Sequence, residues 1–166
     1  MNEETAILQQ LGSADLPPDR YLVSARQTLT ELVAKPKLLE RVHLERKPGG
    51  LTRNLICGNE RMSVWAMVWA AGATTPIHDH HCSCCFALLA GSLREVWFDA
   101  IDDTRAVRTA EHDRLPGFVA AMMPTGPNIH QMINAGSEDA ISIHIYGYDH
   151  RECASSIHRE YQRVEN

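Results

Sequence analysis

Two stretches of sequence decide the fold: residues 72–91, GATTPIHDHHCSCCFALLAG, and residues 117–134, GFVAAMMPTGPNIHQMIN. In the first, His78 and His80 stand one residue apart behind a proline-marked turn, and alternate residues of a strand share a face. In the second, a turn containing proline and glycine delivers His130 to the start of a strand. A single His-x-His pair is a weak sign of a metal site, but a matching third histidine makes a shared metal a much stronger hypothesis.

The segments around these stretches are short, and their hydrophobicity alternates with a period of two. Breaks containing Gly, Pro, Asp or Asn separate them. The predicted strands cover residues 51–57, 62–69, 84–90, 92–98, 105–111, 117–123, 129–133 and 140–147. Eight strands indicate a mainly β fold, either a barrel or a sandwich. The more weakly patterned residues 157–164 are a candidate edge strand.

The first 47 residues carry helical signals instead. Apolar residues recur at helical spacing from Tyr21 to Val33, and Pro36 is expected to end that helix. A short further helix is predicted over Lys37 to Leu44, before a turn at residues 47–50. With 166 residues and 18.6 kDa, the chain is expected to form one domain over residues 1–166.

The predicted strand at residues 140–147 has two contrasting faces. Ile141, Ile143 and Ile145 alternate with Ser142, His144 and Tyr146. The alternation alone leaves open which face points into the barrel, and the histidines elsewhere favour an inward polar face.

Composition excludes several classes of function. A net charge of −5 argues against nucleic acid, and no apolar run reaches the roughly 18 residues of a membrane span. Five cysteines, an odd number, and the lack of a signal sequence predict a cytoplasmic protein without disulfides. The oligomeric state is not predicted.

The spacing of the key residues resembles the paired motifs of the cupin superfamily. It reads Gly72-(five)-His78-x-His80-(three)-Cys84-(six)-Gly91, then Gly117-(six)-Pro124-x-Gly126-(three)-His130-(three)-Asn134. The superfamily usually carries a glutamate where this chain has Cys84. That replacement, together with Arg53, Trp69 and the Ser142-x-His144-x-Tyr146 strand, is similar to the thiol dioxygenases and, among them, to the cysteine dioxygenase family. The resemblance spans residues 51–153 and implies a cupin barrel (double-stranded β-helix, or jelly roll) behind an N-terminal helical segment.

The resemblance implies Fe(2+) held by three neutral ligands, His78, His80 and His130. Such a site leaves positions open for a chelating thiol and for O2. The implied partners are therefore a small thiol substrate and O2, and the implied reaction is oxidation of L-cysteine to cysteine sulfinic acid. Alternatives are dioxygenation of 3-mercaptopropionate or mercaptosuccinate, or a metal-binding cupin without catalysis.

The resemblance also implies roles for residues around the metal. Arg53 would bind the substrate carboxylate through its forked N–H donors, and Trp69 would line the pocket. Tyr146 would act on the bound thiol and oxygen, held by His144, which Ser142 orients. Leu51 departs from the family, because members that use cysteine usually have tyrosine there. The branch acting on 3-mercaptopropionate tends to have glutamine in place of Arg53.

The cysteines behind the histidine pair allow two further hypotheses. In animal members a thioether joins the tyrosine corresponding to Tyr146 to a cysteine, whereas many bacterial members have glycine there. Counting back from the glycine favours Cys84 as that cysteine, and counting forward from the histidines favours Cys85. A rival from another class is a structural zinc site made by His78, His80, Cys82 and Cys85.

Overall fold

The computed structural model describes residues 18–34, 43–124 and 128–165. The described residues form a helix, α1 (Pro18–Val33), and ten strands: β1 (Leu51–Gly58), β2 (Ser63–Trp69), β3 (Ile77–His80), β4 (Cys84–Ala90), β5 (Leu93–Ala100), β6 (Arg105–Arg114), β7 (Val119–Met122), β8 (His130–Ile133), β9 (Ala140–Tyr146) and β10 (Ile157–Val164). Each of the eight predicted segments contains a strand, so the mainly β fold is confirmed. The expected helix beginning at residue 37 lies mostly outside the described residues, and residues 43 and 44 are not helical.

The strands form two sheets that enclose the core between them. One has the order β1-β2-β9-β4-β7, and the other closes on itself in the order β10-β3-β8-β5-β6. The prediction of an edge strand at residues 157–164 is wrong in one respect, because β10 has partners on both sides. It pairs antiparallel with β3 and parallel with β6, where Gln162 lies opposite Arg105.

Helix α1 decides which face of β9 points inward. Ile143 and Ile145 are buried in a cluster with Leu29 and Leu32 of the helix, on the outer side of the sheet. Fully burying one such side chain contributes roughly 1.5–3 kcal/mol. The polar residues of β9 therefore face the interior between the sheets, as the histidines had favoured.

The turn between β4 and β5 requires a glycine. Gly91 has a φ of +71°, and a Cβ there would lie 2.7 Å from the Asp139 carbonyl oxygen and from the Cα of Ala140. Both the left-handed conformation and the close approach exclude larger residues. Gly91 therefore fixes where β4 ends, six residues beyond Cys84.

No helix among the described residues is both long and apolar enough to cross a membrane.

Candidate active site

A cavity of about 80 Å³ lies between the two sheets. One buried water needs about 10–15 Å³ of such space, so the cavity is large enough for a small ligand. The lining residues are Leu51, Arg53, Met67, Trp69, Thr75, His78, His80, Cys84, Phe86, His130, Met132, His144, Tyr146, Ser155, Ser156 and Ile157. Every site residue predicted from the sequence is in this set except Ser142, which lies behind His144, and Cys85.

Three buried histidines converge at one side of the cavity. His78 and His80 alternate on β3, and His130, at the start of β8, pairs directly opposite His78. One ring nitrogen from each lies within 4.8 Å of the other two. The residues that the structure describes thus bring together the three side chains expected to bind a metal.

The outer nitrogen of each ring has a partner of its own. His78 Nδ1 donates to the Pro76 carbonyl (2.9 Å) and His130 Nδ1 donates to Glu95 (2.9 Å), because both partners only accept hydrogen bonds. His80 Nδ1 contacts the Ser156 hydroxyl at 3.2 Å. With their Nδ1 atoms protonated, His78 and His130 direct bare Nε2 atoms inward.

The geometry fits a metal ion. Nε2 of His80 and Nε2 of His130 are 3.1 Å apart, and two nitrogens bound at right angles, about 2.1 Å from one ion, would be roughly 3.0 Å apart. Burial and the neighbouring His130 lower the pKa of His78 to about 4, and the same two causes lower the pKa of His80 to about 2. Both rings are therefore neutral near pH 7, the form that binds metals.

Glu95 and Arg114 belong to the site but were not predicted from the sequence. Glu95 on β5 is completely buried, with one carboxylate oxygen on His130 and the other accepting from Arg114 Nε and Nη2, both at 2.8 Å. Burial raises the pKa of Glu95, but the hydrogen bonds from His130 and Arg114 outweigh it and hold the pKa below its ordinary value. A signal existed: Glu95 is a charged residue at the inward position between Leu93 and Trp97.

A chain of buried hydrogen bonds leads to Tyr146. Trp69 Nε1 donates to Ser142 Oγ (2.8 Å), Ser142 Oγ contacts His144 Nε2 (2.8 Å), and His144 Nδ1 contacts the Tyr146 hydroxyl (3.1 Å). Because the indole N–H only donates, Ser142 Oγ accepts from Trp69 and donates its own hydrogen bond to His144 Nε2. His144 then carries its ring hydrogen on Nδ1 and donates a hydrogen bond to the Tyr146 oxygen. The hydroxyl hydrogen of Tyr146 remains available to a ligand in the cavity.

The protonation states agree with this direction. Burial and the neighbouring His130 lower the pKa of His144 to about 3, so its ring stays neutral. Burial, reinforced by Cys84, raises the pKa of Tyr146 well above its ordinary value, although a hydrogen bond from Ser156 acts against this. Tyr146 is therefore a protonated phenol that can donate.

Arg53 provides a positive charge at the cavity. Its Nη1 donates to the Ala154 carbonyl (2.7 Å), its Nη2 donates to Tyr148 (2.9 Å), and its guanidinium lies 4.3 Å from the ring centre of Trp65. Its Nε is buried without a hydrogen-bond partner. These contacts hold the guanidinium in place and leave an N–H donor for a ligand.

The walls beside Arg53 are apolar. Leu51 lies two residues before it on β1 and lines the cavity with Met67, Phe86 and Met132. None of the described residues that line the cavity is acidic. The interior therefore offers an anionic group a partner, but offers an ammonium group no carboxylate.

Cys84 and Cys85 lie on opposite faces of β4. Cys84 pairs directly with Tyr146 and lines the cavity, whereas Cys85 pairs with Ile145 and packs in the α1 cluster. Directly opposed residues have Cβ atoms about 4.5–5.5 Å apart. No cysteine joins the histidine cluster within the described residues, so the four ligands of the zinc alternative do not converge.

The fold is similar to several solved structures. An uncharacterized conserved protein with a double-stranded beta-helix domain from Klebsiella pneumoniae matches with a TM-score of 0.51 and 16% identity, over 64% of this chain and 84% of that one. A sugar phosphate isomerase from a cupin superfamily of Silicibacter pomeroyi matches with 0.51 and 19%, over 66% and 73%. The cupin domain of Cnp3 from Schizosaccharomyces pombe matches with 0.50 and 20%, over 69% and 74%. These likenesses establish the cupin fold.

A family model places the chain more closely. The model described as cysteine dioxygenase type I matches residues 41–159, which is most of the chain and includes every element that lines the cavity. With three histidines converging in a cupin barrel, the chain belongs to the cysteine dioxygenase type I family, within the cupin thiol dioxygenases.

Proposed function

We propose that this chain is an iron(II)-dependent dioxygenase that converts L-cysteine and O2 to cysteine sulfinic acid. The observation that carries the proposal is that a cluster of three histidines and the side chain of Arg53 line the same small cavity. The cavity is small, about 80 Å³, which favours a short thiol such as L-cysteine over a bulkier one.

The Nε2 atoms of His78, His80 and His130 are the proposed ligands of Fe(2+). Iron bound there would supply the redox chemistry that lets O2 react with a thiol. The balance RSH + O2 → RSO2H needs no further reductant, because sulfur loses the four electrons that O2 gains. The surrounding residues bind and orient the thiol and exclude water.

Arg53 is the proposed partner of the substrate carboxylate. Its guanidinium is already held by Ala154 and Tyr148, so little side-chain freedom is lost when the carboxylate binds. A carboxylate anchored at Arg53 directs the opposite end of a short thiol toward the histidines.

Tyr146 is the proposed donor to the reacting sulfur and oxygen atoms. Its hydroxyl accepts from His144, and its own hydrogen is free to point into the cavity. The raised pKa of Tyr146 keeps that proton in place until the substrate binds. We also propose that Cys84 and Tyr146 are the pair that forms the thioether, in which the S–H hydrogen and one ring C–H hydrogen are lost with two electrons to O2.

A second substrate, 3-mercaptopropionate, is favoured by the apolar wall at Leu51. An amine that is not bound to the metal finds no acidic partner among the described residues that line the cavity. This thiol has a carboxylate for Arg53 and no amine. The two substrates differ only in that group, so their relative rates measure what the amine contributes.

The test is oxygen uptake by the protein loaded anaerobically with Fe(2+). L-cysteine, 3-mercaptopropionate, cysteamine and mercaptosuccinate are compared at equal concentration, and the product is identified by a mass gain of two oxygen atoms. We expect L-cysteine to be fastest and cysteamine, which lacks a carboxylate, to be slow. No uptake with any thiol by protein that holds iron would refute the proposed activity.

Variants test the ligand assignment separately. His78→Ala, His80→Ala and His130→Ala should each lose iron and activity together, because two of the three ligands hold a metal weakly. Iron retained at the wild-type level in all three would overturn the assignment.

The proposed site of this reaction is the cytoplasm. The five cysteines are free thiols in the structure, and a reducing compartment would keep them in that form.

A further inference from the structure

A completely buried carboxylate lies behind the metal site. Glu95 is 0% exposed, and its two oxygens have different partners: His130 Nδ1 on one, and Arg114 on the other. Arg114 is held in turn, with its guanidinium 4.2 Å from the ring centre of Phe118. The three side chains His130, Glu95 and Arg114 therefore form one line of charge-assisted hydrogen bonds from the cavity outward, buried at His130 and Glu95 and partly exposed at Arg114.

Strand pairing alone does not account for this carboxylate. Burying an ion costs several kcal/mol even after relaxation, and apolar side chains of similar size often stabilise a core as well as a buried ion pair does. A neighbour on the same face of β5 shows that an apolar residue fits here, since Leu93 is 1% exposed and packs in the core between the sheets. A residue that costs this much and contacts a histidine of the metal cluster has a use beyond packing.

The three histidines differ in what holds their outer nitrogens. A backbone carbonyl holds His78 and a serine hydroxyl contacts His80, whereas His130 has a carboxylate. A carboxylate on the outer nitrogen fixes the tautomer and raises the basicity of the ring as a metal ligand. Among the described contacts, His130 is thus the histidine of this cluster whose outer nitrogen is hydrogen-bonded to a carboxylate.

We propose that Glu95 is a positioning residue for the iron site. It orients His130 toward the iron and, through that ring, supplies the negative charge that three neutral ligands lack. Arg114 partly neutralises the charge of Glu95. The inference rests on the proposed iron site. Cys84 replaces the carboxylate that usually binds the metal in cupins. Glu95 supplies a negative charge instead, through the outer nitrogen of His130 and without binding the metal itself. The metal's open positions stay free for substrate.

The test uses the two halves of the ion pair in the full-length protein. Glu95→Gln keeps an oxygen that can accept from His130 but removes the negative charge, and Arg114→Gln removes the positive charge. Fe(2+) affinity is measured anaerobically by competition with a chelator, and the Fe(III)/Fe(II) midpoint potential by electrochemical titration. Melting temperature reports the fold.

The expected results have opposite signs for the two variants. Glu95→Gln should weaken Fe(2+) binding about 10- to 100-fold, as loss of such an outer partner does, and should raise the midpoint potential because the oxidised ion loses a stabilising charge. Arg114→Gln should lower the potential, since Glu95 then shares its charge with His130 alone. Arg114→Lys, which keeps the charge, should stay near the wild-type potential.

Asp149→Asn is the matched control. Asp149 is another buried carboxylate paired with an arginine, Arg151, at 2.6 Å, but it does not line the cavity. This variant should leave iron affinity and potential unchanged.

Each outcome decides the question. Lower stability in both variants without a change in affinity or potential, or shifts of the same sign, would show a structural ion pair and overturn the inference alone. If Glu95→Gln does not fold, the sign of the shift in Arg114→Gln still decides. Wild-type protein that binds no Fe(2+) would overturn the proposed function together with this inference.

Discussion

Replacing Ser142 with alanine should destabilise the protein, and the two hydrogen bonds of the Ser142 hydroxyl allow the loss of stability to be estimated. The Ser142 hydroxyl is 2.8 Å from Trp69 Nε1 and 2.8 Å from His144 Nε2, and all three side chains are buried. Leaving one buried polar group without a partner costs about 1–3 kcal/mol. Two such groups lose their partner together, so we expect Ser142→Ala to lower the free energy of unfolding by roughly 2–5 kcal/mol.

A double-mutant cycle separates the hydrogen bond from packing. Wild type, Ser142→Ala, Trp69→Phe and the double variant are unfolded in urea. Trp69→Phe removes the indole donor and leaves a void, but the second substitution should then cost less because Trp69 no longer has an N–H to satisfy. We expect a coupling energy on the order of 1 kcal/mol. Additivity within about 0.3–0.5 kcal/mol would refute the continuous chain.

The same variant tests the path to Tyr146. Without Ser142, no serine proton fixes the His144 tautomer, so kcat should fall while iron content stays at the wild-type level. Ser63→Ala is the control, because Ser63 accepts a hydrogen bond from Trp65 at 3.0 Å and is likewise fully buried. It should lower stability and leave kcat unchanged, and any effect on activity should fall on KM, because Trp65 contacts the Arg53 guanidinium. An unchanged kcat in Ser142→Ala would remove Ser142 from any role beyond folding.

Three further predictions concern other groups of the site. Arg53→Gln should raise the KM for L-cysteine about thirtyfold or more, since losing a buried charge partner costs on the order of 2–5 kcal/mol. The KM for cysteamine, which has no carboxylate, should stay unchanged. Equal effects on both substrates would exclude carboxylate binding by Arg53. Mass spectrometry of the intact protein should show the two-hydrogen deficit of a thioether in wild type and in Cys85→Ala, but not in Cys84→Ala. A wild-type protein without the deficit would contradict the crosslink. The folded-state pKa of His144, about 3, lies below its unfolded value of 6.5, so this residue contributes stability that is present above pH 6.5 and is lost as the pH falls toward 3. Urea unfolding of His144→Gln should therefore show a pH slope smaller by about 1.4 kcal/mol per pH unit in that window, and an unchanged slope would show that His144 is not buried in its neutral form.

The strand rhythm and the metal-site histidines were predictable because both depend on short-range spacing. Alternation with a period of two needs only local sequence, and His78 and His80 share a face of any strand that contains them. Strand β3 itself is four residues long and polar, with one apolar residue, Ile77, so no hydrophobic alternation marks it. Its existence was implied only by the metal-binding hypothesis.

The parts that sequence reasoning missed depend on contacts between distant elements. The Glu95 carboxylate meets Arg114 and His130 through two different neighbouring strands, 19 and 35 residues away. Nothing local specifies those partners. The inner and outer faces of β9 were equally ambiguous until α1 covered the isoleucines. Strand β10 (Ile157–Val164) is too weakly patterned for its two neighbours to be predicted from the sequence.

Contacts between β10 and Asp79 hold the strand that carries two of the metal-site histidines. Asp79, between the two histidines of β3, points to the other face, where its carboxylate accepts from the Arg159 backbone N–H (2.7 Å) and from the Tyr161 hydroxyl (3.0 Å). A strand of four residues has few ladder hydrogen bonds to hold it. Because β10 binds the Asp79 carboxylate on the outer face, the position of β3 does not depend on the two imidazoles that point inward. His78 and His80 are therefore available to bind a metal. The same residue that breaks the hydrophobic pattern of the strand therefore makes the strand rigid enough to hold two ligands of one metal.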